Sequence, residues 1–179
     1  TVACGRTGGP GAGARHHPLD GIGRENLKIT DIKVTLLSYP LPEDKIWFAG
    51  SIECWKTDAV LVQVFTDQGI VGIGETGRGE NYAAVQKNAD FLRGKNVLDA
   101  TLGRLELPAR AGYAAYEMAL YDIVGKALGW PVYKLLGGLA QRKVLVGYWT
   151  GRRTRVGMRR VAERAIEGGF TSIKMKAKQ

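Results

Sequence analysis

The chain has 179 residues, 45% hydrophobic and 24% charged, enough to bury a core in roughly one or two domains. No window approaches the roughly 18 apolar residues of a membrane span, and no apolar stretch follows a basic start, so a membrane location is not expected and the cytoplasm is. The net charge of +9 suggests nucleic acid at first, but residues 1–140 balance 15 basic against 15 acidic side chains, and the whole excess lies in residues 141–179, with 11 against 2.

Residues 1–26 mix Gly, Pro and scattered Arg without apolar periodicity, which predicts a disordered or non-native segment. His16-His17 is too short a tract for a metal site, and Cys4 and Cys54 lack the spacing of a zinc site or a disulfide framework. Organised sequence starts at Leu27, where Ile29, Ile32, Val34, Leu36 and Leu37 predict a strand ending at Tyr39-Pro40. A polar and aromatic loop, Leu41 to Lys56, is expected next, and it carries Trp47-Phe48-Ala49-Gly50. Thr57 to Thr66, the turn Asp67-Gln68-Gly69 and Ile70 to Glu75 predict an antiparallel hairpin. Helices are expected over Glu80–Arg93 and Tyr113–Leu128, with Gly129 just past the second, and strands followed by helices indicate an α+β domain.

After Pro131 the pattern alternates. Lys143 to Tyr148 predicts a short strand, Thr154 can cap a helix reaching Glu167, Gly168-Gly169 closes it, and Thr171 to Lys176 predicts another strand. Strand, helix and strand in this order form a βαβ unit, which needs more of its kind, as in a doubly wound sheet or an eight-stranded barrel. The apolar spacing of Val156, Val161, Ala165 and Ile166 is core-facing, so the surrounding arginines suit a solvated helix face better than a nucleic-acid arm.

Lys174-Met175-Lys176 is the most chemically suggestive triplet. A strand puts both ammonium groups on one face, where mutual repulsion favours the neutral amine that a lysine base requires. Alternating lysines also guard exposed sheet edges, and Lys178 would share their face. Tyr148 and Trp149 end the preceding strand and could face a substrate or simply pack. Gly72-Ile73-Gly74, with Gly77 and Gly79, lacks the ending of a phosphate loop, and no metal spacing joins Glu75, Glu80 and Glu117.

Tyr116-Glu117-Met118-Ala119-Leu120-Tyr121-Asp122-Ile123-Val124-Gly125-Lys126-Ala127, followed by Pro131-Val132-Tyr133-Lys134-Leu135-Leu136-Gly137-Gly138, resembles the end of the capping domain of the mandelate racemase/muconate lactonizing enzyme family, in the enolase superfamily. Val71-Gly72-Ile73-Gly74-Glu75 resembles that family's second hairpin strand, and Gly169 to Lys176 resembles its Lys-x-Lys motif on the second barrel strand. The resemblance extends over residues 27–179. It implies an α+β capping domain over residues 27–140, a three-stranded antiparallel meander followed by helices, joined at 141–179 to the first βαβ unit of a TIM-like (β/α) barrel.

The resemblance further implies a divalent-metal-dependent enzyme that removes the proton α to the carboxylate of a small hydroxy acid or sugar acid, leading to racemisation, dehydration or cycloisomerisation. Lys176 is implied as the base, with Lys174 assisting it and holding the carboxylate, and Trp47 and Tyr148 are the substrate-binding candidates. Mg2+ is the expected cofactor, with no ligand in this chain and its acidic ligands expected beyond Gln179; the complete enzyme is expected to be a homo-oligomer. The 179 residues alone are accordingly expected to be inactive. A non-catalytic capping fragment acting by association, or a basic nucleic-acid-binding module, are the alternatives.

Overall fold

The computed structural model describes residues 26–49, 51–100, 102–151 and 153–176; the expectations for residues 1–25 and for Lys178 lie outside the described residues. Strand β1 (Ile29–Pro40) leads through a 3-10 turn at Glu43–Lys45 into β2 (Trp47–Ala49) and β3 (Ile52–Cys54). Strands β4 (Lys56–Thr66) and β5 (Val71–Glu75) form the expected antiparallel hairpin, and the main sheet has the order β1-β4-β5. Helices α1 (Tyr82–Leu92) and α2 (Tyr113–Leu128) cover one face, which makes this the expected antiparallel meander with helices.

Period-two alternation puts Val60, Val62, Val64 and Thr66 of β4 on the buried face. In β1 the inward residues Ile29 and Ile32 are three apart, a spacing that strict alternation forbids. A register irregularity between Ile29 and Asp31 inserts the extra residue and lets both reach the core. They meet Val85, Ala89 and Leu92 of α1 and Ala115, Ala119, Leu120 and Ile123 of α2. Asn88, fully buried among them, donates to the carbonyls of Ala109 and Ala111 and accepts from the Ala109 amide, which ties the connecting loop to α1.

Helix α2 lies unusually close to β5. A Cβ on Gly72 would collide with the carbonyl oxygen of Ala119, and one on Gly74 with that of Ala115. The alternating glycines therefore serve helix-to-sheet approach rather than a phosphate. At the far end of α2, Gly129 at φ 62° adopts the left-handed cap, and its amide donates to carbonyls of the last turn.

Both edges of the main sheet are engaged by helix side chains. On β5, Asp122 accepts from the Ile73 amide at 3.1 Å, and Lys126 Nζ donates to the Val71 carbonyl at 2.6 Å. Along β1, Tyr82 Oη donates to the Val34 carbonyl and Arg93 to that of Ile32, each at 3.3 Å.

Beyond a single turn, α3 (Val132–Leu135), the chain forms β6 (Tyr148–Thr150), α4 (Arg155–Glu167) and β7 (Ile173–Met175). Strands β6 and β7 are parallel, and Thr154 caps α4 by accepting from the Gly157 amide, so the βαβ unit is as expected. Two expectations need correction. The loop 41–56 contains the short β2–β3 hairpin, and the strand expected at 143–148 lies at Tyr148–Thr150. Ladder pairing explains the second shift: β7 starts at Ile173 and the Tyr148 amide is bonded to Ser172 O, so among the described residues no strand pairs with residues 143–147. Smaller differences trim the first helix from 80–93 to 82–92 and the last strand from 171–176 to 173–175.

Candidate functional site

The β2–β3 hairpin carries Trp47 to the rim of the βαβ unit. Its ring meets Trp149 of β6 edge-on at 6.0 Å, and a side chain on Gly151 would come within 2.8 Å of Trp47 Cβ. Arg153, just after β6, donates to the Ile46 carbonyl at 3.2 Å and to Thr150 Oγ1 at 3.3 Å. These contacts join the β2–β3 segment to the end of β6, about a hundred residues later in the chain. Two cations share the indole. Lys176 Nζ lies 5.0 Å from the ring centroid and the Arg78 guanidinium carbon 4.3 Å from it.

Lys174 is opposite Trp149 in the parallel ladder, so these two residues share one face of the β6–β7 pair, and alternation assigns Lys176 to it. Tyr148 and Thr150 belong to the other face, paired with Ile173 and Met175. The Tyr148 ring packs on Phe170 at 5.2 Å. Trp149 thus has Trp47 at its edge and Lys174 opposite it in the ladder, with Lys176 over Trp47, whereas Tyr148 is turned to the other face with Phe170. Tyr148 and Trp47 do border one cleft of about 530 Å³, but neither lysine lines it. Arg78 was not a sequence candidate. Its signal, a lone cation between Gly77 and Gly79 just past β5, gains meaning only when that turn is known to reach the Trp47 hairpin.

Three of the carboxylates have other work. Glu80 accepts from the Gly112 amide, Glu117 from the Gly103 amide and the Tyr113 hydroxyl, and Asp122 from Ile73 and Lys126. No group of three His, Cys, Asp or Glu side chains suited to a metal occurs among the described residues, so those present do not form a divalent-metal site. The rim instead presents amines and a guanidinium beside aromatic rings, a setting that attracts carboxylates.

An antiparallel sheet with helices on one face, placing an aromatic hairpin over the end of a βαβ unit, is an enolase-type capping domain entering a barrel. Residues 50–137 match the model of the mandelate racemase/muconate lactonizing enzyme N-terminal domain, and this segment belongs to that family. It is 38% identical over 108 residues to a D-galactonate dehydratase of Pectobacterium atrosepticum, covering 51% of this chain and 28% of the relative. A D-galactonate dehydratase of Variovorax paradoxus is 35% identical over 133 residues, covering 65% of this chain and 34% of the relative. Among solved structures, the enolase of Thermobispora bispora complexed with magnesium and formate aligns with a TM-score of 0.66 and 26% identity, over 84% of this chain and 45% of that one. The chain therefore spans only 28% to 34% of the length of these curated relatives. No helix among the described residues is long and apolar enough to cross a membrane.

Proposed function

We propose that this chain supplies the capping domain and the proton-abstracting lysines of an enzyme acting on the carbon α to the carboxylate of a sugar acid, with dehydration as the reaction. Its relatives named for D-galactonate dehydration favour that reaction class. The observation that carries the site assignment is the convergence of Lys176 and Trp47 at the end of β7. Barrel enzymes place their chemistry at the carboxyl ends of the strands. In this reading Lys176 takes the α-proton and Lys174, on the same face, holds the carboxylate. Trp47 and Trp149 wall the site against water, and Tyr148 braces β6 from behind through Phe170.

A carbon acid of this kind needs its developing enolate stabilised, and a divalent cation such as Mg2+ supplies that in the complete enzyme. We assign the ligands of that ion to sequence outside these 179 residues, because the carboxylates described above are committed to backbone amides. On this reading residues 1–179 alone do not turn over.

The test is exchange of the α-proton of sugar acids in D2O, with and without Mg2+. It is run on this chain alone and on the chain joined to the remaining barrel of a D-galactonate dehydratase relative. The chain alone should show no exchange, and the joined protein should show metal-dependent exchange that Lys176→Met lowers by about a thousandfold. Exchange by the joined protein that survives Lys176→Met would overturn the assignment. Lys176-dependent exchange by the chain alone would overturn its inertness.

A further inference from the structure

Arg78 stands where a bystander would not need to be. Its guanidinium is 4.3 Å from the Trp47 centroid, and Lys176 Nζ is 5.0 Å from the same point, so the two groups lie no farther apart than the sum of those distances. Its place over the indole face limits where the guanidinium can lie. One arm, Nη1, is directed at Cys54 Sγ at 3.6 Å, a weak acceptor that does not neutralise it. No carboxylate among the described residues forms an ion pair with Arg78, in contrast to Arg93, which binds both Asp31 and Asp90, and Arg159, which binds Glu163.

A guanidinium held near the lysine pair, where Lys174 holds the reacting carboxylate, is matched by a ligand with a second negative group. We propose that Arg78, held on Trp47, forms a subsite for a second carboxylate at the end of the substrate remote from the reacting carbon, so that the preferred acid is a diacid. This rests on the assignment of the Lys174 and Lys176 end to the reacting carboxylate. Planar bidentate recognition is what an arginine fork provides and a lysine does not. A terminal hydroxymethyl group, as in a monoacid, leaves the guanidinium charge without a counterpart.

The matched probes are galactarate and D-galactonate, which differ by a carboxylate against a hydroxymethyl group at one end. The 179-residue chain is labelled with 15N-tryptophan, the Trp47 indole resonance is assigned with Trp47→Phe, and each acid is titrated at fixed ionic strength. Galactarate should bind about fivefold tighter, the scale of one partly exposed charge pair. Arg78→Gln should bring the two acids to parity, Arg78→Lys should keep part of the preference, and Arg104→Gln, which removes the same charge outside this cluster, should leave it intact. Equal affinities in the unaltered chain, no saturable shift with either acid, or a preference that survives Arg78→Gln would each overturn the proposal. The lysine assignment fails separately: Lys174→Met and Lys176→Met would then leave both affinities unchanged while the Arg78-dependent preference persists.

Discussion

The three-stranded sheet with α1 and α2 and the β6-α4-β7 unit are built from similar pieces but closed to different degrees. In the first, Val62, Val64, Ala119, Leu120 and Ile123 have no exposed surface. In the second, Ala165 is the only buried residue of α4, and Ile166 and Met175 are 74% and 51% exposed. One helix over two parallel strands covers a single face, so burial there is limited by geometry rather than by sequence. Lys174 and Lys176 sit on the open part, and the closed part bears the hairpin and the Arg78 turn that reach them.

The contrast can be broken most strongly at the α2–β5 contact. Gly74→Val would drive a side chain into the Ala115 backbone, which cannot yield as a flexible side chain would. A loss of about 3 kcal/mol or more is expected by urea denaturation followed by circular dichroism. A paired truncation sharpens it. Ile123→Ala, in the closed core, should cost about 3 kcal/mol, and Ile166→Ala, on the open unit, less than about 0.5 kcal/mol in the same measurement. Comparable losses at both sites would show that the βαβ unit is packed more tightly than its exposure indicates.

A smaller effect than at Gly74 or Ile123 is expected at Tyr116, whose hydroxyl donates to the Val85 carbonyl at 2.7 Å inside the core. Burial first, and the negative charge of Asp90 second, push its hydroxyl above the ordinary phenol range. The unfolded chain therefore loses this proton first as pH rises, and the stability linked to Tyr116 is present below about pH 10 and falls above it. Tyr116→Phe should cost about 1 kcal/mol at neutral pH and give a shallower decline of urea stability on the alkaline side. An unchanged alkaline slope would refute the linkage.

Elements whose signals are local were legible in the sequence. The bounds of α2 followed from its periodicity and Gly129, and α4 from Thr154 and the Gly168-Gly169 stop. The β4–β5 hairpin followed from its turn and β-branched runs. Three-residue strands offer too short a pattern, which hid β2 and β3 in an aromatic loop. The apolar run Val144 to Val146 misdirected the β6 assignment, because a strand is set by its partner as much as by its residues. At the site, the lysine pair was visible as a spacing, and Trp47 as a loop aromatic. Their meeting, the opposite facing of Tyr148, and the stacking of Arg78 depend on contacts between residues far apart in the chain, which no local pattern encodes. The glycines of β5 did carry a readable signal: period-two glycines facing Ala115 and Ala119, four apart on a helix, mark a close crossing.

The side-chain bonds along the two margins of the main sheet have a consequence for its size. An antiparallel sheet grows by offering free amides and carbonyls to the next strand, yet here Ile73 and Val71 on one margin, and Ile32 and Val34 on the other, are already engaged by residues of α1, α2 and the Arg93 cap. A fourth strand, whether from a neighbour or from a misfolded copy, would have to displace hydrogen bonds at either side before forming any of its own. At these positions the helices act as covers for the sheet's margins as well as for its face.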